Sequence, residues 1–185
     1  IPRTLTLAQY GELDVSKLDE LPPGRQAIDT VVMGQDKLAL LVDRLAAQIA
    51  EGRQAYWVCP LVEESEVSDL IAAEARFKHL RAALGEGLVG LVHGQMPPAD
   101  KDAAMRAFQQ GQTKLLVATT VIEVGVDVPN ASIIVIERAE SFGLAQLHQL
   151  RVRVGRGQAA STCLLMYQAP LSESGRQRLE VLRES

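Results

Sequence analysis

Two short stretches of this sequence combine residue types that handle sugar and phosphate. Residues 116–129, LVATTVIEVGVDVP, run from an apolar segment into a polar loop that contains a glycine and a carboxylate. Gly125 allows the backbone to approach a ligand closely, or to adopt a positive φ that a side chain resists. Asp127 can accept hydrogen bonds from sugar hydroxyls. Thr119 and Thr120 carry hydroxyls and N–H groups of the kind that position phosphates. An ordinary turn with a solvated aspartate accounts for an isolated Gly-x-Asp equally well. The second stretch, residues 149–156, QLRVRVGR, is sharper. On a helix, Gln149, Arg153 and Arg156 share one face, while Leu147, Leu150 and Val154 share the other. One face packs, and the other offers guanidinium forks to phosphate oxygens. Arginines presented across a cleft to a transferring phosphoryl group contribute ~10³–10⁵ in rate. The competing reading is a solvated basic helix, which the lack of any acid in 148–157, around Arg151, Arg153 and Arg156, disfavours.

Together these stretches supply a ribose contact and arginine fingers, half of a nucleoside-triphosphate site. The sequence has no GxxxxGK[ST], so no loop of the usual kind cradles the β- and γ-phosphates. Residues 33–37, MGQDK, do not substitute for one. Other candidates carry less. Glu63, Glu64 and Glu66 read as a solvated helix start favoured by the helix dipole rather than a metal cluster. His93 has no second His or Cys nearby, so a satisfied histidine or a single backbone-facing contact is the default. Trp57 reads as core. Asp19-Glu20 leads into Pro22-Pro23, whereas a magnesium-binding acidic pair ends a buried strand.

The elements that must hold these residues alternate. Apolar runs predict strands over 27–33, 54–59, 87–92, 114–118, 132–137 and 162–167. Helical spacing predicts helices over 36–50, 65–84, 99–110, 143–154 and 172–183, with Ser65 capping the second. Such alternation implies parallel βαβ units and a sheet covered on both faces. Right-handed crossovers then put every strand's carboxyl end on one rim, where open α/β sheets bind ligands. Cys59-Pro60, His93-Gly94, Thr119-Thr120 and Glu137-Arg138 all follow strands and should gather there. Residues 1–26 lack a clear period and end in the turn-rich LPPGR. They read as an incoming segment and linker, with the lobe proper spanning 27–185.

Composition narrows the classes. A length of 185 residues, 47% hydrophobic and 23% charged, suits one soluble globular domain with a buried core. The apolar runs are too short to span a bilayer, so no membrane partner is expected. No charged-then-apolar leader is present, and a start at Ile1-Pro2-Arg3 reads as an excised fragment. Cys59 and Cys163, far apart and on apolar strands, argue for two buried thiols in a reducing cytoplasm rather than a disulfide or metal site. A net charge of −4 excludes a domain that coats polyanions indiscriminately, so contact with nucleic acid must come from a local patch.

The ordered pair ATT-x-x-x-E-x-G-x-D-x-P-x-A and Q-L-R-x-R-x-G-R resembles motifs V and VI of superfamily 2 helicases. Residues 1–5 (IPRTL), 10–14 (YGELD), 19–25 (DELPPGR), 59–65 (CPLVEES), 93–96 (HGQM) and 142–149 (FGLAQLHQ) resemble the RecG-like branch of bacterial ATP-dependent DNA helicases. The transcription-repair coupling factors share HGQM and FGLAQLHQLR but diverge over 59–65. The resemblance implies a single RecA-like lobe of P-loop NTPase type, a mostly parallel sheet with helices on both faces. It would be the second motor lobe of a helicase that reverses forks and migrates Holliday junctions. ATP would sit between this lobe and a first lobe that supplies the P-loop and the acidic pair for Mg²⁺. By the same resemblance, Gly125 and Asp127 touch the ribose region of the nucleotide, and Arg153 and Arg156 are fingers that Gln149 helps position. His93, Gly94, Thr119 and Thr120 lie along the DNA backbone. The partners implied are branched DNA, the first lobe, and a wedge domain of the same full-length chain. One departure stands out: family members usually have Gly where this sequence has Val152. If that position requires a positive φ, valine strains it; if it is plain helix interior, the change costs little. Two readings from other classes compete: a stand-alone nucleotide- or nucleic-acid-binding α/β module, and a regulatory domain whose arginines bind a phosphorylated partner.

Overall fold

Among the described residues, six parallel strands form one sheet in the order β1-β6-β5-β2-β4-β3. They are β1 (Ile28–Gly34), β2 (Gln54–Val58), β3 (Val89–Val92), β4 (Leu115–Ala118), β5 (Ala131–Ile136) and β6 (Ser161–Tyr167). The helices are α1 (Leu38–Ala50), α2 (Glu66–Leu84), α3 (Pro98–Gln109), α4 (Leu144–Arg151) and α5 (Glu173–Glu184). This computed structural model describes residues 28–60, 66–119, 128, 130–152, 154 and 161–184. The proposed linker over 1–26 and the cap Ser65 lie outside the described residues.

The central strands β2, β4 and β5 are buried along their whole length. A strand covered on both faces has no polar side to show, hence runs such as ASIIVI and LLVA. Alternation then divides the core. Ala55, Trp57 and Cys59 join Leu115, Val117, Ile133 and Val135 under α1 and α2. Tyr56 and Val58 join Leu116, Ala118, Ile134 and Ile136 under α3, α4 and α5. The sheet is therefore a single α/β lobe with helices on both faces, as the alternating pattern predicts.

Element ends depart from the sequence expectation where backbone chemistry intervenes. β3 begins at Val89, not 87, because Gly85 (φ 123°) and Gly87 (φ 86°) make the left-handed turn that enters it. Residues 35–37 form a 3₁₀ turn before α1. α4 covers Leu144–Arg151 and not 143–154. Its first turn is closed by Gln146, whose Oε1 accepts from the Gly143 N–H at 3.0 Å. Its last is followed by Val152 at φ −73°, ψ −4°.

Candidate functional site at the carboxyl rim

Register brings the strand ends together. Val92 pairs with Ala118, Ala118 with Val58, and Val58 with Ile136. The next residues, His93, Thr119, Cys59 and Glu137, therefore stand side by side on one rim. Two backbone bonds extend the ladder there: Cys59 N–H to Ala118 O at 2.8 Å, and Glu137 N–H to Val58 O at 2.9 Å.

Of the nine residues expected to meet nucleotide or DNA, four are described. Thr119 is 5% exposed, so its side chain is packed into the rim. His93 is half-buried, and its Nδ1 accepts from the Gln95 backbone N–H at 3.1 Å. That bond puts the proton of the neutral ring on Nε2, which is left as a donor. Gly94 is exposed, and a Cβ built on it would meet nothing within 4 Å. The fold itself makes no demand for glycine there, and the bare backbone is open to close approach. Gln149 is exposed on α4, while Leu147, Leu150 and Val154 are fully buried, so the packing face assigned from spacing is present. Gly125, Asp127, Thr120, Arg153 and Arg156 lie outside the described residues.

Arg151 is held by the lobe itself. It is only partly exposed, and its Nη1 donates to Leu182 O at 2.9 Å and to Thr30 Oγ1 at 3.2 Å. Desolvation lowers the pKa of this guanidinium, and the neighbouring His148 is lowered by burial and then by the Arg151 charge.

The structure also shows a centre that sequence reasoning missed. Glu137, at the end of β5, takes a forked pair of bonds from Arg76 of α2: Nε to Oε1 and Nη2 to Oε2, both 2.8 Å. The Trp57 indole N–H donates to the same Oε1 at 2.8 Å, and the Arg76 guanidinium lies 5.9 Å from the Trp57 ring centroid. Hydrogen bonding to Glu137 raises the Arg76 pKa against the opposing effect of burial. The pair walls a cavity of about 340 Å³ shared with Cys59, Pro60, Asp69 and Arg138. A carboxylate directly after an all-apolar strand was a visible signal. Its partner, 61 residues away in mid-helix, had none. Both cysteines are buried and free, and burial pushes the Cys163 thiol up to about 12.

Among the described residues no three His, Cys, Asp or Glu side chains converge as a metal site, and no helix is long and apolar enough to cross a membrane. The rim thus gathers a histidine donor and open glycine backbone beside a buried ion pair. Such a surface can bind along a phosphate-bearing ligand.

Comparison with known proteins agrees with this geometry. Residues 36–158 match the helicase conserved C-terminal domain. RecG, an ATP-dependent DNA helicase of Escherichia coli (strain K12), is 58% identical over 186 residues, which cover 100% of this chain and 27% of that protein. RecG of Bacillus subtilis (strain 168) is 46% identical with the same coverage. The chain therefore spans about a quarter of the length of these relatives. A RecG bound to a three-way DNA junction superposes with a TM-score of 0.74 at 37% identity, covering 89% of this chain and 21% of that one. The yeast DEAD-box splicing factor Prp28, at 19% identity and a TM-score of 0.63, covers 86% of this chain and 33% of its own; it shares the fold alone. This chain belongs to the helicase conserved C-terminal domain family, as a RecA-like lobe matching RecG along its full length.

Proposed function

We propose that this chain is the second motor lobe of an ATP-dependent DNA helicase that remodels branched DNA by fork reversal and Holliday junction migration. The observation that carries the reading is the 58% identity to RecG over the whole chain. The gathering of His93, Thr119 and Glu137 on one rim supports it. ATP is held between this lobe and a first lobe, to which residues 1–26 lead. Gly125 and Asp127 contact the ribose region, Arg153 and Arg156 reach the phosphates, and Gln149 helps align them. Fixed guanidinium groups stabilise charge that develops on the transferring phosphoryl oxygens. His93, Gly94, Thr119 and Thr120 follow the DNA backbone, with His93 Nε2 a donor to phosphate. The described residues do not fit a Mg²⁺ site. The ion is assigned to the acidic pair of the first lobe. A cytoplasmic protein acting on chromosomal DNA in recombination and repair is the setting this implies.

The test is Arg156→Ala in the full-length protein. DNA-stimulated ATP hydrolysis is expected to fall by at least ~10³-fold, the lower range for a removed finger, with DNA affinity largely kept. Turnover near the parent's would show that Arg156 is not a finger.

A further inference from the structure

Arg151 is assigned no task by the nucleotide and DNA roles above, yet it links α4 to both α5 and β1. Its guanidinium is partly buried and, among the described residues, bonds to neutral acceptors only: the Leu182 carbonyl and the Thr30 hydroxyl. For stability alone this is a poor arrangement. Removing a charge from water is costly, and an apolar side chain of similar size would fill the space more cheaply. What the contact provides is direction. Leu182 O belongs to the last turn of α5, where helix carbonyls lack intrahelical donors and carry the negative end of the dipole. Thr30 lies on β1, a strand at the sheet edge. One side chain therefore joins the end of α4 to the end of α5 and to the sheet.

The chain is anchored again just beyond. Val154 is fully buried, and its N–H donates to Arg151 O at 3.3 Å. Arg153 is thus bracketed by one anchor two residues before it and another one residue after. Consecutive Cα atoms are about 3.8 Å apart, so two bonds of chain keep the Arg153 Cα within about 7.6 Å of the Arg151 Cα. We propose that Arg151 is a positioning residue, which by its bonds to α5 and β1 sets the place from which Arg153 and Arg156 reach the nucleotide phosphates. This rests on the finger reading given under Proposed function.

The experiment uses the full-length protein and compares Arg151→Met, Arg151→Lys and Thr30→Val with Arg156→Ala. Steady-state ATP hydrolysis at saturating DNA, DNA affinity and melting temperature are measured for each. Arg151→Met should lower kcat about 10- to 100-fold, the effect of a misplacement near 1 Å, with KM for ATP and DNA affinity near the parent's. Arg151→Lys, which keeps one donor for Leu182 O, should recover part of the rate. Thr30→Val, which removes only the hydroxyl, should show a smaller loss in kcat alone. If Arg151→Met does not fold, the lysine and valine variants decide, and parental kcat in both overturns the proposal. So does a deficit that vanishes on cooling, or one in which DNA affinity falls with kcat, since either marks a purely structural role. If Arg156→Ala keeps full turnover, the finger reading itself has failed. If Arg156→Ala is inactive and Arg151→Met runs at the parent's rate, only the positioning role has failed.

Discussion

At the scale of single residues, the Arg76–Glu137 pair is the most consequential contact at the rim. Its side chains are only 19% and 12% exposed, and the forked geometry satisfies both carboxylate oxygens. Trp57, with no exposed surface, adds an N–H bond to Oε1. A buried carboxylate is tolerated here because three donors surround it. Removing one partner of such a pair costs more than the pair contributes, because the remaining charge is left without compensation. Arg76→Met should therefore destabilise the chain by about 3 kcal/mol, the low end of the range for buried pairs given the residual exposure. Adding Glu137→Gln should recover more than half of that loss, since the amide carries no charge and still accepts from Trp57. Urea denaturation of the two variants checks both statements. A single variant as stable as the parent would mean that water already solvates the carboxylate.

At the scale of elements, the end of α4 settles the question raised by Val152. Its φ of −73° lies in the ordinary right-handed region, and the side chain is 40% exposed. Nothing at this position asks for glycine on conformational grounds, so the valine is not strained. Val152→Gly in the full-length protein should leave ATP turnover within about twofold and lower stability by about 0.5 kcal/mol, the entropic cost of glycine near a helix end. A severalfold gain in rate would show that valine does hinder the arginine segment. The same helix shows where sequence reading stops. The strands were legible because parallel strands buried on both faces are uninterrupted apolar runs, and β2, β4 and β5 are of that kind. The rim location of His93, Thr119 and Glu137 followed from strand alternation and handedness alone. The length of α4 did not, because periodicity continues through Val154 although the helix ends at Arg151. Helical spacing left Arg151 off the face shared by Gln149, Arg153 and Arg156, but gave no sign of what Arg151 would touch. That came only with the arrival of Leu182 and Thr30, from 31 and 121 residues away.

At the scale of the whole molecule, the lobe presents a strand-end rim, and its sequence carries no P-loop motif. No GxxxxGK[ST] occurs in its 185 residues, and its net charge of −4 gives no general affinity for polyanions. A site completed by two lobes depends on their concentration relative to each other. Joined in one chain, they meet at an effective concentration in the millimolar range; separated, they meet only at the concentration supplied. The purified 185-residue chain should therefore hydrolyse ATP no faster than a buffer control, with or without DNA. Adding a separately purified first lobe should restore DNA-stimulated turnover that rises in proportion to lobe concentration through the micromolar range, well short of the joined protein. The Arg156→Ala form of this chain, added in the same way, should restore nothing. Steady phosphate release from the chain alone would place a full catalytic site within these residues and remove the reason for a second lobe. Turnover restored equally by the parent and the Arg156→Ala chain would leave the lobe as a DNA grip only, with its arginines taking no part in the chemistry.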